Sequence, residues 1–366
     1  MEIKNIKIKN FRNYKELELN FNKKINIFIG NNAQGKTNLI ESLYVLGITK
    51  SHRTYNEKKL IKEGEDFLKI SGIVKNENTK KELEILISSK GKSVKIDKNI
   101  IRKTSEYISN LVVVLFCPDD LEIIKGSPSI RRRFLNIELG QIDNNYLVHL
   151  NKYNKLLKNR NEYLKQNNER TIEMNFLEVL DKQIAEEATM LYNKRIKFID
   201  ELNIYIKKIY KKISNGDIIQ IKYETNVDVK QEKLEELILK KLKSNIKKDL
   251  LFGTTTIGPH RDDFLFYLNN HKINEYGSQG QQRLAALCLK LAEIEIFIIK
   301  NNDYPILLLD DIFSELDEKR RCSVIEYINK GIQTFITATD INDIKKNILK
   351  NSDIYDVKEG IITKLK

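Results

Sequence analysis

The 366-residue sequence is poor in the residues that hold small secreted domains and metal centres together. Its three cysteines, Cys117, Cys288 and Cys322, lie far apart and form no CxxC pair. This usage fits a reducing cytosol and gives no zinc site. The four histidines show no ligand spacing, so we expect no transition-metal centre. Four prolines in the whole chain argue against long flexible spacers between domains.

Long apolar runs are also missing. No stretch of about 18 apolar residues occurs, so we expect no segment that spans a membrane. Residues 1–10, MEIKNIKIKN, lack the apolar core of a signal peptide. We therefore expect a cytoplasmic location and no membrane partner.

Negative charge is outnumbered: 64 Lys and Arg residues face 51 Asp and Glu residues, a formal net charge of +13. Such an excess suggests a polyanionic partner such as nucleic acid. AT-rich codons, which favour Lys, Asn and Ile, explain the same composition equally well. The charge alone therefore leaves both interpretations open.

Apolar spacing divides the chain into three parts, and its length predicts two domains or one domain with a large insertion. Alternating strand patterns fill most of residues 1–117. A period near 3.5 then predicts two helices, about 143–166 and 172–213, in an antiparallel coiled-coil hairpin. An ordinary helical subdomain is the open alternative. Strand patterns return within 216–366.

A GxxxxGKT motif occupies residues 30–37, between an apolar strand and a helix, as a phosphate-binding P-loop requires. Its glycines let backbone N–H groups curl around phosphate oxygens, and the helix N-terminus adds positive charge. Lys36 would reach the β- and γ-phosphates of ATP, and the Thr37 hydroxyl would bind Mg²⁺. The predicted nucleotide-binding residues of this loop are Gly30, Asn31, Asn32, Ala33, Gln34, Gly35, Lys36 and Thr37.

A second motif, ILLLDD at 306–311, predicts a buried strand that ends in carboxylates, as a Walker B motif does. Asp310 would hold Mg²⁺ directly or through water, and Asp311 would polarise the attacking water. The segment SELD at 314–317 follows at the position of a D-loop. Because Lys36 and Asp310 lie so far apart in sequence, we predict a split ATPase head with the helical hairpin in the gap.

A third motif, YGSQGQQR at 276–283, shortly precedes the Walker B strand. Ser278 fits a helix N-cap, with Gln281 at capping-box spacing. Together with Gly280, the serine hydroxyl and the free N–H groups of a helix start form an anion site. A capped helix without a ligand is the alternative.

Taken together, these motifs resemble the SMC-type ATPases of the ABC superfamily. Three more stretches are similar to sequence elements of the RecF family: NFRNY at 10–14, PDDLEIIKGSPSIRRRFLN at 118–136 and GPHRDD at 258–263. The resemblance spans nearly the whole chain. It implies an α/β fold, a split ABC/SMC-type P-loop ATPase head with an inserted, mainly helical arm domain. The implied boundaries are 1–117 and 216–366 for the head and 118–215 for the arm.

The resemblance also implies a function, that of an ATP-dependent DNA-binding protein of recombinational repair and replication. RecF proteins form homodimers on ATP, bind single- and double-stranded DNA, and act with RecR and RecO at single-strand gaps. There they help RecA load and support the SOS response. ATP and Mg²⁺ are thus the implied cofactors. By the same resemblance, Arg12 and Asn13 would line the nucleotide site, and Ser278 would meet the γ-phosphate held by the other protomer.

Two departures from the wider ABC pattern predict slow hydrolysis. Asp311 stands where a catalytic Glu is usual and is one methylene shorter. Thr339 stands at the position of the switch histidine. The sequence has no glutamine between Gly35 and Asp120, so no Q-loop glutamine can be placed. We expect a weak, DNA-stimulated ATPase whose turnover times the release of DNA.

Four basic residues are candidate DNA contacts: Lys50, Arg53, Arg131 and Arg132. Packing within the head by ion pairs is the alternative for the two arginines near 131. His260 and Arg261 are expected to brace the two halves of the head.

Two other functions remain open on sequence grounds. One is an SMC-like architectural ATPase that organises DNA without a repair role. The other is the nucleotide-binding subunit of a membrane transporter, which needs the Q-loop glutamine and the switch histidine.

Overall fold

The computed structural model describes residues 1–77, 79–167, 171–214, 216–229, 231–314, 316–341, 344 and 346–366. These residues form both strands and helices, in line with the predicted α/β class. The strands are β1 (Glu2–Phe11), β2 (Tyr14–Asn20), β3 (Ile25–Ile29), β4 (Phe67–Lys75), β5 (Lys80–Ser88), β6 (Gly91–Ile96), β7 (Asn99–Ile101), β8 (Val113–Phe116), β9 (Ile219–Glu224), β10 (Asp263–Leu268), β11 (His271–Lys272), β12 (Ile306–Asp310), β13 (Thr334–Ala338), β14 (Ser352–Lys358) and β15 (Ile361–Lys364).

Helices connect these strands, and short 3₁₀ helices cover Glu57–Leu60 and Pro118–Asp120. No helix within the described ranges combines the length and the apolar character needed to cross a membrane. The α-helices are α1 (Lys36–Ile48), α2 (Thr104–Ile108), α3 (Leu121–Lys125), α4 (Pro128–Ile142), α5 (Asn144–Gln166), α6 (Met174–Ile213), α7 (Leu234–Ser244), α8 (Ile246–Phe252), α9 (Ile273–Tyr276), α10 (Gln279–Asn301), α11 (Glu318–Asn329) and α12 (Lys346–Lys350).

The chain divides into two compact units. The first unit combines Met1–Leu121, Ile209–Gly216 and Ala286–Lys366, and the second combines Glu122–Lys208 and Asp217–Ala285. The first unit is therefore assembled from distant parts of the chain. Its boundary differs from the predicted one, which placed 217–285 with the head. These residues lie in the second unit because β9 and β10 pair with each other and β10 packs on α4.

The first unit places one helix between two sheets. One sheet has the order β2-β1-β4-β5-β6-β7 and is antiparallel, and the other has the order β15-β14-β3-β13-β12-β8. In the second sheet, β14, β3, β13, β12 and β8 run parallel. Helix α1 packs against strands of both sheets, and most of its residues are buried. Buried residues on every side of the helix, including the polar Lys36, Glu41 and Ser42, agree with this enclosed place.

The second unit contains the predicted antiparallel helical hairpin, formed by α5 and the part of α6 up to residue 208. Contacts along the hairpin run in opposite directions: Asp143 with Lys194, His149 with Glu187, and Arg160 with Asp181. Most of the apolar seam is buried, as its 3.5-residue spacing predicted, whereas Leu150, Leu157, Tyr205 and Ile209 are half-buried. Its buried members include Tyr146, Tyr153, Leu164, Leu177, Ile184, Ala188 and Leu191.

A buried arginine interrupts the seam without leaving its donors unsatisfied. Arg195 donates to the Tyr146 hydroxyl, the Asn136 side chain and the carbonyl oxygen of Pro259. His260 contacts the Tyr153 hydroxyl at 2.6 Å and the Thr255 carbonyl at 3.0 Å. The GPHRDD segment thus packs inside the second unit, which corrects the expectation that His260 and Arg261 brace the two halves of the head.

Candidate nucleotide site

Strand order brings the P-loop and the Walker B carboxylate to one edge of the parallel sheet. Strands β3 and β12 lie on either side of β13. All three run parallel, so their carboxyl ends meet at the same edge. The Thr37 hydroxyl donates a hydrogen bond of 3.1 Å to Asp310 Oδ1. The two predicted Mg²⁺ ligands, far apart in sequence, are therefore neighbours in space.

A polar pocket of about 350 Å³ opens beside these two residues. The pocket is lined by the cationic side chain of Lys36 and by the carboxylate residue Asp311. It lies at the N-terminus of α1, where backbone N–H groups favour anions. The pocket is lined by Asn32, Ala33, Gly35, Lys36, Thr37, Asn38, Arg53 and Asp311.

The Lys36 ammonium is held inside the loop. It donates to the carbonyl oxygens of Gly30 at 2.5 Å and Asn31 at 2.9 Å. Burial lowers the pKa of Lys36, whereas the nearby carboxylates of Asp311 and Asp310 raise it. The charge therefore already lies where phosphate oxygens of a nucleotide would enter.

Two positions of the loop require glycine. Gly30 and Gly35 have φ values of 151° and 116°, which L side chains rarely adopt. A Cβ on Gly30 would lie 2.4 Å from the carbonyl oxygen of Val357, and one on Gly35 would lie 2.6 Å from Asn13 Nδ2. The loop is thus packed directly on its supports.

Gln34 connects the loop to two distant turns. Its side-chain oxygen accepts the Glu359 N–H at 2.7 Å, and its carbonyl accepts the Gly360 N–H at 3.0 Å. The same carbonyl accepts a bond of 3.4 Å from Asn13 Nδ2, and Asn13 Oδ1 accepts one of 2.8 Å from Asn38. The turn between β14 and β15 and the turn between β1 and β2 therefore brace the P-loop. Asn13 was predicted to line the nucleotide site; it contacts the P-loop backbone and Asn38, and it is not among the residues that line the pocket.

A buried carboxylate on α1 organises the arginines around the pocket. Arg12 binds Glu41 with two hydrogen bonds of 2.8 and 2.9 Å, and Ser51 donates to the same carboxylate at 2.5 Å. Burial raises the pKa of Glu41, but the bonds from Arg12 and Ser51 outweigh it and hold the pKa below its ordinary value. Arg12 thus reaches the site through Glu41, and the pocket wall given above does not include it.

Arg53 lies on the pocket wall instead. Its Nη1 is 3.0 Å from Asn38 Oδ1 and 3.5 Å from Glu41 Oε2, and its side chain is partly exposed. This place beside the P-loop favours a nucleotide contact over the predicted DNA groove. Lys50, the other candidate in this segment, is exposed just beyond α1.

Thr337, on the central strand β13, contacts both Walker B aspartates, Asp310 through its carboxylate and Asp311 through its backbone. Its hydroxyl donates to Asp310 Oδ1 at 2.7 Å and accepts the Asp311 N–H at 2.9 Å. Burial raises the pKa of Asp310, against the bonds from Thr337 and Thr37. Sequence reasoning missed Thr337 and singled out the exposed Thr339. The sequence signal that could have identified Thr337 is its position near the end of an apolar strand. That strand, β13, lies between the strands that precede the P-loop and carry the Walker B motif.

The donor set fits Mg²⁺. A hydroxyl and a carboxylate are hard oxygen ligands, and Mg²⁺ usually takes one or two protein ligands together with phosphates and water. In the part of the chain that the structure describes, no group of three or more His, Cys, Asp or Glu side chains could hold a metal. Thr37 and Asp310 would hold Mg²⁺, which would neutralise phosphate charge when it is bound.

Thr337→Val tests this arrangement because it removes the hydroxyl and keeps the shape. We expect the Mg²⁺ concentration needed for ATP binding to rise about fivefold, since a lost buried hydrogen bond costs about 1 kcal/mol. Thr339→Val is the matched control, the same change at an exposed threonine on the same segment. Magnesium titrations of nucleotide binding measure both. An equal response of the two variants would contradict the role given to Thr337.

The third motif forms the predicted helix cap, in the second unit. Ser278 Oγ accepts the Gln281 N–H at 3.3 Å, and Gln281 Oε1 accepts the Ser278 N–H at 2.9 Å. This reciprocal pair is a capping box. Ser278 is exposed at the start of α10, with Gly280 in the first turn. In the D-loop, the Ser314 hydroxyl donates to the Asp311 carbonyl at 2.9 Å, and Glu315 lies outside the described residues.

Two of the candidate DNA contacts take part in packing within the second unit. Arg131 is buried and makes two hydrogen bonds to Asp263, of 2.6 and 2.8 Å. Arg132 donates to the Asp262 carbonyl at 2.7 Å and stays partly accessible. The contacts of Arg131 therefore favour the alternative of packing by ion pairs, since its guanidinium makes its bonds inside the second unit.

Arg131→Ala should lower stability more than DNA affinity. Removing one partner of a fully buried ion pair typically costs about 3 kcal/mol, and we expect a smaller loss here because Asp263 is half-buried. Urea unfolding should show a clearly lower midpoint than for Arg102→Ala, the same change at an exposed arginine. Unchanged stability together with weaker DNA binding would contradict this role and support Arg131 as a DNA contact.

Comparison with known proteins places this geometry in a family. The chain matches the RecF/RecN/SMC N terminal domain over residues 2–363. It is 43% identical over 370 residues to the DNA replication and repair protein RecF of Bacillus cytotoxicus, covering 99% of this chain and 98% of that protein. The RecF protein of Bacillus thuringiensis (strain Al Hakam) is 43% identical over 369 residues, with the same coverage.

Solved structures agree. The recombination mediator protein RecF-ATP in the RecFOR pathway has a TM-score of 0.93 and 34% identity, covering all of this chain and 97% of that one. The RecF-ATPrS structure has a TM-score of 0.91 and 35% identity, covering 100% and 98%. An Smc head bound to the C-terminal winged-helix domain of ScpA shares the fold, with a TM-score of 0.55 at 17% identity over 100% and 98% of the two chains. The chain has the ABC/SMC-type ATPase fold and belongs to the RecF family.

Proposed function

We propose that the chain is an ATP-dependent DNA-binding protein of recombinational repair and replication, which acts as an ATP-gated dimeric clamp. The observation that carries the proposal is the bond between Thr37 and Asp310 beside a polar pocket that contains Lys36. This arrangement suits a nucleoside triphosphate with Mg²⁺. The solved relatives described as RecF-ATP and RecF-ATPrS support ATP as the nucleotide.

Closure would join two copies of the chain. ATP held by the P-loop of one protomer would present its γ-phosphate to Ser278 and Gly280 of the other. The exposed cap of α10 supports this, since its hydroxyl and N–H groups favour an anion. ATP shifts the population towards the closed dimer only through contacts that the open form lacks. Closure would then form the basic surface that grips DNA.

Hydrolysis would be slow and would act as a timer for release. Asp311 is the candidate residue that polarises water, and its carboxylate is one methylene shorter than that of a glutamate. Its backbone has a φ of 52°, held by the bond from its N–H to Thr337. Weak, DNA-stimulated turnover fits a switch better than a motor.

The pathway assignment rests on the relatives. They are named as DNA replication and repair proteins, and a solved one is described as a recombination mediator in the RecFOR pathway. We therefore propose binding to single- and double-stranded DNA and gap junctions, action with RecR and RecO in the cytoplasm, and a role in RecA loading and SOS induction. An architectural role of the SMC type is less well supported. Helix α6 has 40 residues and spans about 60 Å, too short for a long tether.

DNA binding tests the proposal directly. Affinity for gapped, single-stranded and double-stranded DNA should be measured with ATP, with ADP and without nucleotide, at several salt concentrations. We expect the tightest binding with ATP and a steep fall of log affinity with log salt, since phosphate contacts release counterions. Equal affinity in all three nucleotide states would contradict ATP gating.

A further inference from the structure

A second pocket lies next to the capped start of α10, within the second unit. It has a volume of about 300 Å³ and lies where the β10–β11 turn meets α9. Nothing in the proposed function uses it, although Tyr276 and Gly277 belong to the same motif as Ser278. Its lining residues are Leu268, Asn269, His271, Lys272, Ile273, Tyr276, Gly277 and Gln281.

The pocket has an aromatic edge that faces solvent. Tyr276 is 73% exposed, although a large aromatic ring is usually at least half-buried. The His271 ring lies against it, with 5.7 Å between ring centroids and 62° between planes. Leu268 and Ile273, both buried, supply the apolar part of the wall. A flat aromatic ligand would find both a stacking surface and an apolar floor here.

Hydrogen bonds hold this edge in place. Gln282 donates to the carbonyl oxygens of Ile273 and Gly277, at 3.1 and 3.2 Å, and so ties α9 to α10. On the opposite side, Asn269 and Asn270 form a two-residue turn with φ values of 48° and 69°. Both are positive, as in the tight turns that best fit a twisted hairpin. The backbone on either side of Tyr276 is therefore held in place.

The polar groups of the pocket suit an uncharged ring better than a phosphate. Gln281 uses its Oε1 to cap Ser278, so its amide nitrogen is the atom that can donate to a ligand. Lys272 Nζ lies 3.8 Å from Glu275 Oε1, and this carboxylate offsets part of the positive charge of Lys272. A planar ring with hydrogen-bonding groups on its rim matches this mixture.

We propose that this pocket binds a nucleobase, with Tyr276 as its stacking partner. The inference rests on the proposed function, which supplies two sources of nucleobases, an unpaired DNA strand and ATP. Stacking of a base on an aromatic side chain contributes about 1–3 kcal/mol and tolerates any base. Tyr276→Ala should therefore weaken binding of the source ligand about fivefold or more, and Tyr276→Phe should retain wild-type affinity because it keeps the ring.

The absence of tryptophan from the chain allows a local test. In Tyr276→Trp, the single indole should lose emission when a base stacks on it. A thymidine oligonucleotide, an abasic oligonucleotide of equal length, and ATP are added separately. Tyr304→Trp, which places an indole at another exposed tyrosine, is the matched control and should respond to none of them.

Quenching by the thymidine strand but not by the abasic strand would assign the pocket to DNA. Quenching by ATP alone, at a protein concentration where the chain stays monomeric, would assign it to the nucleotide. If the unmodified chain and Tyr276→Ala bind both ligands equally well, and neither ligand quenches Tyr276→Trp, the pocket is no nucleobase site. If the unmodified chain binds neither DNA nor ATP, the proposed function itself is wrong, and the nucleobase site is then wrong as well.

Discussion

Lys36→Met should abolish ATP-dependent dimerisation and weaken ATP binding at least tenfold. The variant keeps the length of the side chain but loses the ammonium that now binds Gly30 and Asn31 within the P-loop. Hydrogen bonds to charged groups contribute about 1.5–3 kcal/mol each, so tenfold is a lower estimate. Nucleotide binding by calorimetry and molecular mass by light scattering measure the two effects.

Lys90→Met is the control for this change, because Lys90 is exposed in the turn between β5 and β6. It should bind ATP and dimerise as the unmodified chain does. Full dimerisation of Lys36→Met with ATP would contradict the P-loop assignment.

Ser278→Arg should abolish dimerisation and hydrolysis while leaving the affinity of the monomer for ATP nearly unchanged. The substitution places a bulky cation at the exposed cap of α10, where the γ-phosphate of the other protomer is proposed to dock. The P-loop residues of the same chain are not altered. The measurements are ATP binding by the monomer, molecular mass with ATP, and ATP turnover. Ser244→Arg, at an exposed serine of α7, is the control.

Mixing Ser278→Arg with Lys36→Met gives the decisive form of this experiment. A heterodimer of the two variants has one composite site with an intact P-loop and an intact cap. Partial recovery of hydrolysis on mixing is therefore expected. Normal hydrolysis by monomeric Ser278→Arg would instead show a self-contained P-loop enzyme and contradict the shared site.

Local sequence was enough to predict the elements of the site. The P-loop, the Walker B strand and the cap at Ser278 each show a short pattern with its own physical reason, and the structure forms all three. The P-loop and the Walker B strand meet through the order of strands in the sheet, which the sequence indicated only through the pairing of the two motifs. The helical hairpin was predictable for the same local reason, since its 3.5-residue period persists over several turns.

Contacts between distant residues account for what the sequence did not reveal. Arg131 looked accessible within a run of arginines, but its partner Asp263 lies in a later strand. Gln34 is braced by the turn at Glu359 and Gly360, which no local pattern connects to the P-loop. Thr337 gained its role from lying between β3 and β12. Local propensity contains no information about these neighbours.

The central claim is that ATP joins two copies of the chain into the form that holds DNA. Its most direct test measures molecular mass and DNA affinity on the same samples, with Mg²⁺ and ATP, with ADP and without nucleotide. The account predicts a dimer with tight DNA binding only in the ATP sample. A monomer that binds DNA equally well in all three samples would contradict it.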